Sequence, residues 1–288
     1  MKPSAVAAFC PGHISGYFRK ISGDTIASTG SIGAGIVISE GVTATVRRSD
    51  TTSISIRQRS SMGTSFEVAS CSPVLAHVME QLGVTASVIT ECTLPIGAGF
   101  GLSAAALLAT LTAINRLFDR EMSAEEIAQY AHAAEVTHRT RLGDVAACQG
   151  GGWVIRSGPG IHGLVERRFD MPEPLYAVSF GPIHTPEVLD SPVRMDRVSS
   201  AFPKTTPENV EDFFRFSRRF SERSGLITRE VKIITRLCAA AGVPSGMTML
   251  GNGVFAYGRK AQDLLMPFGH VYEFHVTATG AHVVAGLA

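Results

Sequence analysis

The sequence predicts an α/β protein in two halves, on three observations. Short β-branched segments with period-two alternation, joined by glycine-rich turns, fill the first ninety-five residues. The pattern turns helical immediately after glycines 97, 99 and 101. The second half then alternates strand and helix.

Thr43–Arg47 and Ser53–Arg57 alternate as half-buried strands do, and Ser87–Leu94 is a third strand, stopped by Pro95. Between them Pro73–Leu82 reads as a short helix. Ser103–Phe118 is apolar nearly all round, as a buried helix is. Ser123 with Glu126 three residues on is a capping box, which predicts a helix to about Val136. Gly143–Gly152 reads as a loop and Trp153–Arg156 as a strand. Beyond it, Leu175–Phe180, Gly246–Leu250, Gly253–Tyr257 and Tyr272–Ala278 are expected strands. Val210–Ser224 and Thr228–Ala241 are expected helices, with Thr185-Pro186 and Thr206-Pro207 as cap-plus-proline helix starts. A soft boundary near residue 157 divides the chain into 1–157 and 158–288.

A chain of 288 residues can bury roughly 75% of its unfolded surface and needs no staples. With 45% hydrophobic and 18% charged residues it is globular, and a net charge of +1 gives no field for nucleic acid or an anionic membrane. Only five of the 26 basic residues are lysine, so anion recognition falls to arginine forks and backbone amides. The five cysteines are scattered without a C-x-x-C, which suits reduced thiols. Leu102–Ile114 is too short to span a bilayer, and the apolar run Ala5–Cys10 is too short for a secretory core. The expectation is a cytoplasmic protein.

The stretch Pro95–Ala105 carries the most chemistry. A strand stops at Pro95, Gly97-Ala98-Gly99-Phe100-Gly101 follows, and Leu102-Ser103-Ala104 opens a helix. Glycines allow positive φ and close approach of a ligand, and the fresh helix end offers unpaired N–H groups to a phosphate. No Lys-Ser/Thr pair follows, as a Walker A loop requires, and the third glycine of a dinucleotide fingerprint would fall on Leu102. On physics alone, phosphate binding and tight strand-to-helix packing stand equal.

The segment resembles the P-x-x-x-G-L-G-S-S-A-A signature of the GHMP small-molecule kinases, with Phe100 in place of Leu and Leu102 in place of the first Ser. Ala8–Phe18 is similar to that family's first motif. Gly246–Ala256 sits where the glycine-rich third motif belongs but lacks its usual core. Within the family, Pro11–Phe18, the Gly97–Ala105 loop and Leu142–Gly151 look like the archaeal-type pantoate kinases. The resemblance implies a two-domain fold, α/β in the broad sense (α+β). An N-terminal β-rich α/β domain would pack against a C-terminal ferredoxin-like α/β domain, with ATP between them. The activity it implies is phosphorylation of the 4-hydroxyl of pantoate, in coenzyme A biosynthesis.

The resemblance assigns roles. The loop from Pro95 through Gly97, Ala98, Gly99, Phe100, Gly101, Leu102 and Ser103 to Ala104 would cradle the nucleotide phosphates. Glu135 and Ser103 would hold Mg2+, and Asp144 would orient or deprotonate the hydroxyl. Arg156 would bind the pantoate carboxylate, with His132 and Ser28 as weaker substrate contacts. His132, Glu135 and His138 do not make a zinc site, because the histidines lie about 120° apart on a helix and the spacing is not H-E-x-x-H. Phe213, Phe216 and Phe220 follow core spacing beside a solvated basic face. A homodimer bordering that helix is a further expectation. Rival readings are a kinase of mevalonate- or homoserine-like alcohols and a non-catalytic nucleotide sensor.

Overall fold

The computed structural model describes residues 3–60, 62–140, 142–183 and 191–285. Its frame is a long antiparallel ribbon, β1 (Ala5–Ile21) against β2 (Gly30–Arg48). The far half of β2 pairs antiparallel with β5 (Ala86–Cys92), which pairs parallel with β3 (Ser53–Arg59); β4 (Ser65–Ala69) closes that edge. The near half, Gly33–Ile36, pairs with β6 (Trp153–Arg156), which carries β7 (Val165–Arg168). The ribbon shifts register between Pro11 and Gly12 and again between Ser15 and Tyr17. Such bulges bend a strand and re-aim its side chains, and this pair brackets His13.

Among the described residues four helices belong to this half. Proline at the first turn and Ser72, whose Oγ accepts from the Leu75 N–H at 3.3 Å, start α1 (Pro73–Gln81). α2 (Leu102–Phe118) is buried on most of its surface, as its apolar sequence requires. The predicted Ser123–Glu126 capping box opens α3 (Ala124–His138) with both of its hydrogen bonds formed. The predicted loop at 143–152 instead contains α4 (Asp144–Cys148), too short to impose a period on its sequence.

The second sheet, β8 (Leu175–Pro182), β9 (Ser245–Met247), β10 (Gly251–Tyr257) and β11 (Val271–Phe274), is antiparallel throughout, in the order β11-β8-β10-β9. Helices α5 (Pro192–Ala201), α6 (Val210–Ser224) and α7 (Arg229–Ala240) separate β8 from β9, and α8 (Lys260–Leu265) separates β10 from β11. Fourth, first, third, second is the ferredoxin-like strand order that the resemblance implied. Thr206-Pro207 does not begin α6; Asn209 does, accepting from the Asp212 N–H. The 246–250 strand ends at Met247 and the 272–278 strand at Phe274. Thr185-Pro186 lies outside the described residues.

α6 joins the two sheets. Phe213 lies 5.7 Å from Trp153 and Phe220 5.8 Å from Phe18, ring centre to ring centre, while Phe214 packs on Phe255. Phe214 thus takes the buried place that spacing gave to Phe216, which is half-buried. The chain then returns to the first sheet, where β12 (His282–Val283) pairs with β1. Among the described residues no helix is long and apolar enough to cross a membrane.

Candidate active site

The glycine loop runs from the end of β5 to the start of α2. Gly97, Gly99 and Gly101 all hold positive φ (79°, 90° and 65°), a region closed to most side chains. Gly101 is itself the residue before the first turn of α2. Among the described residues no side chain caps that end, so its first amides are left without a side-chain acceptor at the positive end of the helix dipole.

Beside the loop opens a cleft of about 530 Å³ with mainly apolar walls. Val74 and Leu75 of α1, Ile96, Leu102 and Leu107 form its sides, and Pro182 and Ile183 reach it from the end of β8. Ser103 and Thr140 are among its few polar groups. Such a hollow suits a nucleoside base whose phosphates continue onto the loop. Leu102, at the usual serine position, becomes part of this apolar wall.

The other face of the loop meets the first and third motifs. Phe100 gives its carbonyl to the His13 N–H at 2.9 Å. A side chain on Gly251 would collide with Ala98. There Ser15, Ser31, Asp144, Met249 and Leu250 enclose a cavity of about 20 Å³ with Phe18 and Leu142. That volume holds one water molecule. Leu250 adopts φ 58°, a strained conformation for a leucine.

Asp144 opens α4 and is 4% exposed; its Oδ1 lies 2.8 Å from His13 Nδ1. Arg156 runs under the same turn and is 2% exposed. Its Nη1 donates to the Ser31 carbonyl (3.1 Å) and to Ser31 Oγ (3.0 Å). Burial lowers the pKa of the guanidinium, and the charge of Asp144 opposes that shift. Arg156 therefore stands behind the cavity, with Ser31 in front of it.

Glu135 is 1% exposed in the last turn of α3, and its Oε1 accepts from Thr140 Oγ1 at 3.3 Å. Thr140 in turn lines the cleft together with Ser103. His132, one turn earlier, puts Nε2 within reach of the Ile26 carbonyl (3.2 Å) and the Thr29 carbonyl (3.0 Å), and so pins the β1–β2 turn. Ser28 is exposed in that turn and bonds to Thr25. Neither Ser28 nor His132 lines the 20 Å³ cavity.

Sequence reasoning assigned no role to His13, Ser15, Ser31, Thr140 or Arg167. His13 and Ser15 both lie inside the Ala8–Phe18 motif, and that is their signal in the sequence. Arg167 lies on β7 and closes the far end of α4. Its Nη1 donates to the Ala147 and Gly151 carbonyls (both 2.9 Å) and its Nη2 to the Ala146 carbonyl (3.1 Å).

The family profile of the GHMP kinases N terminal domain matches residues 68–152, which include the glycine loop and Asp144. The pantoate kinase of Methanospirillum hungatei is 44% identical over 286 residues, 99% of each chain. That of Thermococcus kodakarensis is 30% identical, covering 93% of this chain and 94% of its own. A solved phosphotransferase related to the CoA biosynthesis pathway superposes over 99% of this chain and 100% of its own, with a TM-score of 0.82 at 24% identity. Identity of 44% over the full length of both chains decides the matter: the chain belongs to the pantoate kinase family of the GHMP kinases.

Proposed function

We propose that the protein transfers the γ-phosphoryl group of ATP to the 4-hydroxyl of pantoate, giving 4-phosphopantoate and ADP. The observation that carries this reading is the buried Asp144 carboxylate in a small cavity, 2.8 Å from His13, whose own N–H donates to the Phe100 carbonyl of the glycine loop. Full-length relatives named as pantoate kinases supply the substrate.

Phosphoryl transfer needs positioning and charge stabilisation more than covalent chemistry. The loop amides from Gly97 to Ala104 and the Ser103 hydroxyl hold the phosphates, and the apolar cleft takes the base. Asp144 accepts the proton of the 4-hydroxyl as the oxygen attacks phosphorus. Arg156 gives an N–H to Ser31 Oγ, which turns the serine's own O–H outward as a donor to the pantoate carboxylate. Phe18, Leu142, Met249 and Leu250 form the apolar wall for the geminal methyl groups. His132 and Ser28 shape this end through the β1–β2 turn. The cavity must widen to admit pantoate, so the Leu142–Gly143 and Met249–Leu250 segments separate on binding.

Glu135 and Ser103 fit Mg2+, since a buried carboxylate tied through Thr140 to the wall that carries a serine hydroxyl suits an ion that takes most of its ligands from phosphate and water. Glu135 and Ser103 would hold the ion, which would supply positive charge against the negative charge of the phosphates. The reading includes a nucleotide cleft between a domain of residues 1–157 and one of 158–288, cytoplasmic residence and a homodimer.

The test is ADP release from Mg-ATP with and without pantoate, with the product weighed by mass spectrometry and mevalonate and homoserine in parallel. Pantoate-dependent release with a phosphopantoate mass is expected. ATP binding with release on another alcohol, or on none, overturns the assignment.

A further inference from the structure

His13 touches both sides of the reaction centre. Its main chain belongs to the phosphate loop, because its N–H donates to the Phe100 carbonyl at 2.9 Å and a Cβ on Gly101 would press on its backbone. Its side chain belongs to the acceptor side, with Nδ1 2.8 Å from Asp144 Oδ1. The residue is 1% exposed. Two features of the fold serve this placement. The register shifts on either side of His13 free it from strict strand alternation. Gly35 on β2 leaves the space that the ring occupies, since a Cβ there would collide with Nε2 and Cε1 as well as with the Ile14 carbonyl.

We propose that His13 is a positioning residue that fixes the Asp144 carboxylate against the phosphate loop. An aspartate carboxylate rotates about its last bond through a broad, shallow well. A hydrogen bond from Nδ1–H to Oδ1, made where water is excluded, holds its plane and depth. Because the same residue is hydrogen-bonded to Phe100, the carboxylate and the phosphoryl donor move as one unit. A displacement of about 1 Å between reacting groups can cost roughly a hundredfold in rate, so that shared anchor has kinetic consequences. The kinetic part of this inference rests on Asp144 being the catalytic carboxylate, as proposed above.

Three variants and one spectrum test it. His13→Leu removes the donor; His13→Asn puts an amide N–H near the place of Nδ1; Gly35→Ala leaves the imidazole intact but takes its seat. With Mg-ATP and pantoate, His13→Leu should lower kcat by roughly a hundredfold, within the usual range for a misplaced acid–base group, while the KM for ATP stays near that of the wild type. His13→Asn should recover most of that loss, and Gly35→Ala should lie between. In the substrate-free wild type, the His13 imidazole N–H proton should give a slowly exchanging, downfield resonance that moves upfield in Asp144→Asn. A kcat in His13→Leu close to wild type, or a His13→Asn no better than His13→Leu, overturns the proposal. So does an imidazole resonance indifferent to Asp144→Asn, a measurement that stands even where His13→Leu fails to fold. If the wild type turns over no pantoate, the substrate reading fails by itself, and the resonance then decides for or against the His13–Asp144 coupling.

Discussion

Asp144 and Arg156 are buried at one turn, 4% and 2% exposed, and an uncompensated charge at that depth is costly. The charge of Asp144 favours the ionised guanidinium, and Ser31 takes directed hydrogen bonds from the arginine. Asp144→Asn keeps the shape and removes the charge, so turnover should fall by roughly a thousandfold, as for other lost acid–base groups. Nucleotide binding should persist, because the loop amides are untouched; single-turnover rates and ATP titration separate the two. His132 makes a different prediction. Burial lowers its pKa in the folded state from the ordinary value near 6.5, the Ile26 and Thr29 carbonyls opposing the shift. The unfolded chain therefore binds a proton first as pH falls below about 6.5. Stability present above that value is lost as pH drops toward the lower folded value. A thermal midpoint that declines between pH 7 and 5 in the wild type should decline less in His132→Gln, whose amide nitrogen can donate to the same two carbonyls without titrating.

At the scale of elements, α4 decides how firmly Asp144 is held. Five residues cannot sustain a helix alone, and Arg167 supplies the brace by binding two carbonyls of its last turn, Ala146 and Ala147, and that of Gly151 just beyond it. Arg167→Met should cost about 1–2 kcal/mol, the scale of a well-placed cation at a helix end. It should also raise amide exchange in 144–148 and reduce kcat more than it raises the KM for ATP. Arg167→Lys should recover little, because one ammonium cannot reproduce a fork spread over three acceptors. Hydrogen exchange by mass spectrometry, with steady-state kinetics, checks both. This element also marks where the sequence stops being legible. α2, the Ser123–Glu126 box and the glycine loop were readable because each declares itself within a dozen residues. α4 is not legible, because five residues show no period. His13 pairs with a residue 131 positions away, and Arg167 with carbonyls about twenty positions back, so neither role is visible locally. The same distance hides why Arg156 faces Ser31, 125 positions earlier.

At the scale of the whole molecule, the boundary near 157 separates the two sheets in sequence more cleanly than in space. The segment after β11 crosses back to the first sheet: Ser39 N–H donates to the His275 carbonyl (2.8 Å), Thr277 N–H to the Val37 carbonyl (3.2 Å), Gly152 N–H to the Thr277 carbonyl (2.8 Å) and Val284 N–H to the Ala7 carbonyl (2.9 Å). These bonds fasten Val37 and Gly152, which adjoin the β2–β6 pairing that carries Arg156. The phenylalanines of α6 meanwhile run one apolar core through both halves, with Trp153 against Phe213 at the junction. A shared core predicts one cooperative transition, and the returning segment should contribute to the stability of both halves. Ending the chain at Phe274 removes these four bonds and the β1–β12 pairing, each bond worth about 1 kcal/mol net, from a molecule whose whole stability should be on the order of 10 kcal/mol. The shortened chain should therefore unfold at least about 4 kcal/mol more easily. Trp153 fluorescence, which reports the junction, should still share its midpoint with circular dichroism, which reports both sheets. Separated midpoints, or an unchanged stability, would mean that the halves fold independently and that the tail rests on the first sheet without holding it.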